Sequence, residues 1–350
     1  MSGKKLRCGV IGLGMGRGHI EGYNSHAQAE VVAIADPDAK RLEEFGAKYN
    51  IAPEHRYADA EKMLKKEKLD VVSIATPNKF HQPLALAAFK AGCHVLCEKP
   101  MAMNAAQGRQ MLAAAKKAKR RLMINFSYRF RPASMDLKRQ VESGVLGNIY
   151  FARTVWHRRR GMPGFGGWFG QKELAGGGPL IDLGVHRLDL ALWLMGYPKP
   201  VWVMGSTYSA IAGPLAAKEK KKFDVEDLAV GLVKFANGAT LEVEASWAAN
   251  IKEKEHQQTR LLGDRGGLLQ YNLNEGYEYE AEMYLEREGC QCDLKLRGST
   301  TKTPSAYYHF IDSIVTGQPH IATGEEGLIV MELLDAIYQS AATGEPVRIR

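Results

Sequence analysis

Leu6-Arg7-Cys8-Gly9-Val10-Ile11-Gly12-Leu13-Gly14-Met15-Gly16-Arg17-Gly18-His19 is the stretch that decides the fold. Its first six residues read as an apolar strand, and the pattern from His19 to His26 is helical. The alternating glycines between them let a backbone approach a pyrophosphate, whose charge the following helix N-terminus stabilises. Gly12, Leu13, Gly14, Met15 and Gly16 are the candidate contacts. The third glycine comes one residue earlier than in G-x-G-x-x-G, so the turn alone does not decide for a dinucleotide. Asp36 adds the second half of the signal. It ends the next strand, Glu30 to Ala35, where a carboxylate would bond the adenosine ribose hydroxyls. That charge repels a 2′-phosphate and favours NAD, while Arg41, a helical turn later, leaves NADP open.

Working outward, apolar runs and helical patterns keep alternating. A short element is expected near Arg56-Tyr57, and strands at Leu69 to Ala75, His94 to Cys97 and Leu122 to Phe126. Helices are expected at Asp38–Tyr49, Asp59–Lys66, His81–Ala91 and Ala105–Ala118. Strands apolar on both faces and alternating with helices imply a parallel sheet covered on both sides. Past residue 126 the period changes. A helix over Tyr128–Ser143 leads into long strands: Ile149–Trp156, Val201–Ser209, Leu228–Phe235, Thr240–Trp247, Thr259–Leu262 and Leu268–Asn272. Leu241-Glu242-Val243-Glu244-Ala245 alternates with period two, and Asn237-Gly238 marks a hairpin. Thr323-Gly324-Glu325-Glu326 is a capping box opening a helix that Gly344 stops. The fold class is therefore α/β: an N-terminal Rossmann domain with a parallel sheet (1–126), then an α+β domain with a large open, mainly antiparallel sheet (127–350). The C-terminal helix is free to pack back on the first domain.

Composition narrows the function classes. The 350 residues are 45% hydrophobic and 25% charged with net charge +8, the profile of an ordinary soluble two-domain chain. The basic residues form only short clusters, such as Lys218 to Lys222, which reads as an exposed loop, and no nucleic-acid motif accompanies them, so no nucleic-acid partner is expected. No apolar run reaches the ~20 residues of a membrane helix, and no signal-peptide core opens the chain. Five cysteines without zinc-ligand spacing read as free thiols, with no metal site and a cytoplasmic location.

Two further segments carry the chemistry: Ala75-Thr76-Pro77-Asn78 with His81 and Glu98-Lys99-Pro100, then Gly176-Gly177-Gly178-Pro179-Leu180-Ile181-Asp182-Leu183-Gly184-Val185-His186. In this order and spacing they resemble the Gfo/Idh/MocA oxidoreductases, which include glucose–fructose oxidoreductase and inositol 2-dehydrogenase. The resemblance spans nearly the whole chain and covers the early third glycine. It implies that Lys99, Asp182 and His186 form the catalytic group, and that Thr76, Pro77, Asn78, His81, Glu98 and Lys99 lie at the cofactor. The residue chemistry agrees. Oxidising a secondary alcohol needs a base for the hydroxyl proton and a donor for the developing alkoxide. An imidazole suits the first task, an ammonium the second. Asp182 and His186, four apart on a helix start, project from one face. Asp189 is expected to be structural, bonded to backbone or Arg187.

Tyr128 and Arg129 after the last strand of the first domain, and Arg158 and Trp168 in the loop from His157 to Phe169, are candidate substrate contacts, with His309 a further one. The expected activity is NAD(P)-dependent hydride transfer at a secondary alcohol carbon of a sugar, inositol or glycoside. Alternatives are a redox-neutral NAD-dependent glycosidase, which oxidises transiently and eliminates, and a non-catalytic nucleotide sensor. An open sheet with an apolar outer face predicts pairing into a homodimer or homotetramer.

Overall fold

The computed structural model describes residues 5–298 and 303–349. The chain divides into two compact units. The first holds residues 1–125 and 304–331, and the second 126–303 and 332–350.

In the first unit, strands β1 (Leu6–Ile11), β2 (Ala29–Ala35), β3 (Arg56–Tyr57), β4 (Val71–Ile74), β5 (His94–Cys97) and β6 (Leu122–Ile124) build one six-stranded sheet. Every pairing is parallel and the order is β3-β2-β1-β4-β5-β6. Helices α1 (Gly16–Asn24), α2 (Ala39–Tyr49), α3 (Ala60–Lys66), α4 (His81–Lys90) and α5 (Ala105–Ala118) are its crossovers. β4 is buried at all four residues, the signature of a strand covered on both faces. Order reverses between β1 and β4, and ligands of such sheets bind at that switch point.

The second unit opens with α6 (Pro132–Glu142) and contributes β7 (Ile149–Arg158), α7 (Lys172–Ala175), α8 (Val185–Met195), β8 (Pro200–Tyr208) and α9 (Ala212–Lys218). It continues through β9 (Leu228–Phe235), β10 (Thr240–Ser246), β11 (Glu255–Gly263), β12 (Gly266–Leu273), β13 (Glu278–Arg287) and β14 (Cys290–Lys295). Helix α10 (Ala306–Thr316) belongs to the first unit, α11 (Gly324–Thr343) supplies both, and β15 (Val347–Arg348) joins the second sheet. That nine-stranded sheet runs β14-β13-β12-β11-β7-β10-β9-β8-β15 and is antiparallel except where β10 meets β7. Both strands of the Asn237-Gly238 hairpin and the Thr323/Glu326 capping box are present; Thr323 N–H donates to Glu326 Oε2 at 2.9 Å and Glu326 N–H to Thr323 Oγ1 at 3.2 Å.

Three expectations need correction. The helix expected over Tyr128–Ser143 is split: a 3-10 turn covers Ser127–Phe130, and α6 starts only at Pro132, whose ring suits a first helical turn. β13, β14 and α10 add to the expected elements. The outer face of the second sheet is not uniformly apolar. Paired positions Met204, Leu232, Glu242 and Arg153 lie in one row, and Arg153 is ion-paired with Glu242 and Glu244.

The second unit's interior holds a buried ion pair. Arg129 and Asp189 are both fully buried; Arg129 Nε donates to Asp189 Oδ2 at 3.0 Å and Tyr197 Oη to Asp189 Oδ1 at 2.8 Å. Arg129 is thus a charged partner of Asp189. Removing one member of such a pair leaves an uncompensated charge in the interior. Asp189→Ala is expected to destabilise the fold by about 3–5 kcal/mol, read from the urea midpoint; a loss below ~1 kcal/mol would show the pair to be dispensable.

Among the described residues no helix is long and apolar enough to cross a membrane, and no cluster of three His, Cys, Asp or Glu could hold a metal ion. All five cysteines are free, with Cys8, Cys93 and Cys97 buried.

Candidate active site

In the first unit, the turn after β1 follows from steric necessity. Gly12 has φ +91°, and a Cβ there would sit 2.3 Å from the Ala75 carbonyl oxygen. That closeness brings the glycine-rich turn against the start of Ala75-Thr76-Pro77-Asn78. Leu13 is buried, Met15 exposed, and Gly16 begins α1, whose first N–H groups have no partner within the helix. Gly14 leaves open space; the nearest atom to a Cβ there would be Arg41 Nη1 at 3.7 Å. At the end of β2, buried Asp36 accepts from Leu13 N–H at 2.7 Å (Oδ2) and Asp38 N–H at 2.9 Å (Oδ1). Arg41 stands 3.8 Å from the same carboxylate. A positive-φ glycine, an open second glycine, a helix N-terminus and a carboxylate after β2 together fit a dinucleotide.

The Glu98-Lys99-Pro100 turn follows β5, and the Lys99–Pro100 peptide is cis. Behind it lies a buried polar network. Glu98 Oε1 accepts from Asn125 Nδ2 at 2.6 Å and contacts His19 Nε2 at 3.0 Å, while His19 Nδ1 meets Ser73 Oγ at 2.8 Å. Burial pushes the Glu98 carboxyl up, but the His19 and Asn125 bonds and the Lys99 charge outweigh it and hold it below the ordinary value. His19 thus ties α1 to the lysine-bearing turn, a role the sequence hinted at only through its place after the glycines. His81 is fully buried, its two ring nitrogens each 2.8 Å from a carbonyl oxygen, Pro100 and Thr76. It holds the Thr76-Pro77 and Lys99-Pro100 segments together. Asn78 is buried beside it in sequence, in a single 3-10 turn.

In the second unit, Leu180–Gly184 is a π-helical turn running directly into α8. Such turns alter the helical register and recur at functional sites. From Gly177 to Leu194 every residue is buried except Asp182 and His186. The segment therefore presents those two side chains and nothing else. Fully buried Trp247 donates from Nε1 to Asp182 Oδ2 at 3.1 Å. The His186 ring lies 4.8 Å from that of Tyr128 and 5.9 Å from that of Trp156, centroid to centroid. Under these rings Arg187, fully buried, sits 5.0 Å from the Tyr128 ring, 5.4 Å from Trp156 and 5.1 Å from Tyr279, and bonds Gln257. A cation beneath aromatic faces is held there by their quadrupoles.

The other candidates divide. Tyr128 belongs to the aromatic cluster with Trp156, Leu183 and Trp247. Arg158 donates from Nε to Glu255 Oε1 at 3.1 Å, and its charge also interacts with Asp182. Trp168 is half-buried and stacks on Phe169 at 3.8 Å, and Phe169 packs on the Trp247 cluster. Arg129 is withdrawn from any binding surface by its pairing with Asp189 in the interior. His309, in the first unit, accepts from Ile321 N–H at 3.1 Å and anchors the connection from α10 to α11. Trp247, which touches Asp182, carries no signal in the sequence that marks it as a site residue.

The N-terminal residues 6–126 match the family described as oxidoreductase, NAD-binding Rossmann fold, and residues 138–349 match its C-terminal alpha/beta domain. The chain belongs to the Gfo/Idh/MocA oxidoreductase family. It is an NAD-dependent oxidoreductase with an NAD-binding Rossmann domain. It is similar to the D-glucoside 3-dehydrogenase of Escherichia coli, at 34% identity over 100% of this chain and 99% of that protein. Among solved structures it resembles the aldose-aldose oxidoreductase of Caulobacter crescentus complexed with glycerol, at 28% identity and TM-score 0.83, covering 99% of this chain and 100% of the other. It also resembles GenD2 from gentamicin A biosynthesis in complex with NAD, at 25% identity and TM-score 0.82, covering 100% and 98%.

Proposed function

We propose that this protein transfers a hydride between NAD and a secondary alcohol carbon of a sugar, inositol or glycoside, with Lys99, Asp182 and His186 acting on the substrate. The observation that carries the reading is that Asp182 and His186 alone are partly exposed on an otherwise buried helix start, over a floor of Tyr128 and Trp156. Bound NAD supplies the site that accepts or returns the hydride. The glycine turn, Asp36, Arg41, Thr76, Pro77 and Asn78 hold it. Each residue then has one task. The His186 imidazole takes the hydroxyl proton, and the Lys99 ammonium bonds the reacting oxygen as negative charge develops on it. Asp182, oriented by Trp247, accepts from a neighbouring hydroxyl. Aromatic faces suit the C–H surface of a pyranose, and Arg158 offers donors beside Asp182. The similarity to a D-glucoside 3-dehydrogenase favours a glycoside. We also infer that chains pair through the second sheet, with Met204 and Leu232 at the centre and the Arg153 ion pairs at the margin.

The test is purified protein with NAD⁺ and a panel of inositols, free pyranoses, uronates and aryl glycosides, following reduced nicotinamide and released aglycone together. Accumulating NADH without aglycone release is the expected result. Aglycone release without net NADH would replace the dehydrogenase with the redox-neutral glycosidase. NAD binding with neither signal would overturn the substrate class.

A further inference from the structure

The three glycines before Asp182 answer specific backbone or steric constraints. Gly176 closes α7 at φ +88°. A Cβ at Gly177 would sit 2.0 Å from the Tyr338 hydroxyl, and one at Gly178 would sit 2.1 Å from the Glu226 carbonyl oxygen. What the glycines admit is a clamp. Glu226, buried, accepts from Gly178 N–H at 2.9 Å through Oε2 and from Leu180 N–H at 3.1 Å through Oε1. Tyr338, from the second-unit part of α11, donates its hydroxyl to Oε1 at 2.8 Å. Pro179, between the two amides, has no N–H and gives the turn no side-chain cap.

The first N–H groups of a helix have no partner within it and carry partial positive charge. Here the cap arrives from 46–48 residues away in the chain. It meets the turn two residues before Asp182 and six before His186. Burial raises the Glu226 carboxyl above its ordinary value, and the Gly178, Tyr338 and Leu180 bonds offset part of that rise. A buried charge is expensive, so folding alone would be served as well by a neutral side chain. A carboxylate differs from an amide in accepting at both oxygens. Three donors converge on Glu226, and only an acceptor at each oxygen satisfies them all.

We propose that Glu226 is a positioning residue for hydride transfer: its carboxylate, steadied by Tyr338, fixes the register of the π turn so that Asp182 and His186 share the open face. This rests on the reading above, in which those two side chains act on the substrate.

Glu226→Gln tests it with the side-chain volume kept. Its amide NH2 must oppose either the Gly178 N–H or the Leu180 N–H, so one end of the turn loosens. The expected result is a kcat lower by about tenfold or more, with KM for NAD changed less than about twofold. Amide hydrogen exchange in a peptide spanning 176–186 should accelerate while exchange around β1 and α1 stays as in wild type. Tyr338→Phe, which removes one hydroxyl and leaves both amide bonds, should act in the same direction and less strongly; it carries the test if Glu226→Gln does not fold. A purely structural part would lower the melting temperature and leave turnover per folded molecule unchanged. Folded Glu226→Gln protein with kcat within about twofold of wild type, or with unchanged exchange at 176–186, overturns the proposal. If the wild type transfers no hydride to any sugar, the functional reading has failed separately. Unchanged exchange at 176–186 would still overturn the clamp, and accelerated exchange would support it.

Discussion

Lys99→Ala and His186→Ala are each expected to lower the rate of hydride transfer by about 10³-fold while leaving NAD affinity within a few-fold of wild type. The size follows from the two tasks. A positioned general base is worth about 10²–10⁴ in rate, and a donor to a developing oxyanion about 10²–10³. Single-turnover absorbance at the reduced-nicotinamide band measures the step without interference from product release. His186 stands on a supported floor, so its removal leaves Tyr128, Trp156 and Arg187 in place and should not disturb folding. Lys99 is flanked by Glu98, which has its own partners in His19 and Asn125, so the turn also survives the change. On the proposed mechanism, in which both residues act on one oxygen and its proton, the double variant is expected to lose little beyond the worse single one. A Lys99→Ala or His186→Ala enzyme retaining a tenth of wild-type rate would remove that residue from the chemistry.

Much of this was readable from residues in order, and the part that was not has a common cause. The alternation of apolar runs and helical patterns, the glycine turn and the carboxylate at Asp36 are local signals, set by strand burial and by the few residues that tolerate a tight turn. Five of the six parallel strands follow from them; β3, two residues long, is too short to show a period. β13 escaped notice although Tyr279, Ala281, Met283 and Leu285 alternate with period two, because four glutamates dilute the run. α10, Ala-Tyr-Tyr-His-Phe-Ile at its start, carries aromatic and β-branched residues that read equally well as strand. The partners of the site are a different matter. Trp247 reaches Asp182 across 65 positions and Glu226 reaches Gly178 across 48, so no window of sequence holds both ends. Arg129 shows the converse. A charged residue beside a candidate site reads as a ligand until its carboxylate, 60 positions on, is seen in the interior.

Cofactor choice gives the second large effect, at Asp36. Its carboxylate has two tasks. It ties the glycine turn through Leu13 and Asp38, and it places a negative charge where β2 ends. A hydrogen bond to a charged acceptor is worth about 1.5–3 kcal/mol, or roughly 10–150-fold in affinity. Asp36→Asn removes the charge and keeps an acceptor oxygen for only one of the two backbone amides, Leu13 or Asp38, that Asp36 satisfies. Its kcat/KM for NAD is expected to fall by about 10–100-fold, while that for NADP rises as repulsion of the 2′-phosphate disappears. The preference for NAD over NADP should therefore shrink by about 10³-fold. Arg41 supplies the internal control. It lies 3.8 Å from Asp36 and over Gly14, with half its side chain exposed, and once the carboxylate is neutral its guanidinium is available to a phosphate. Adding Arg41→Ala to Asp36→Asn should abolish the gain with NADP and leave the loss with NAD unchanged. Equal losses with both cofactors in Asp36→Asn would mean that Asp36 serves only to tie the turn, and that discrimination between NAD and NADP lies elsewhere in the first unit.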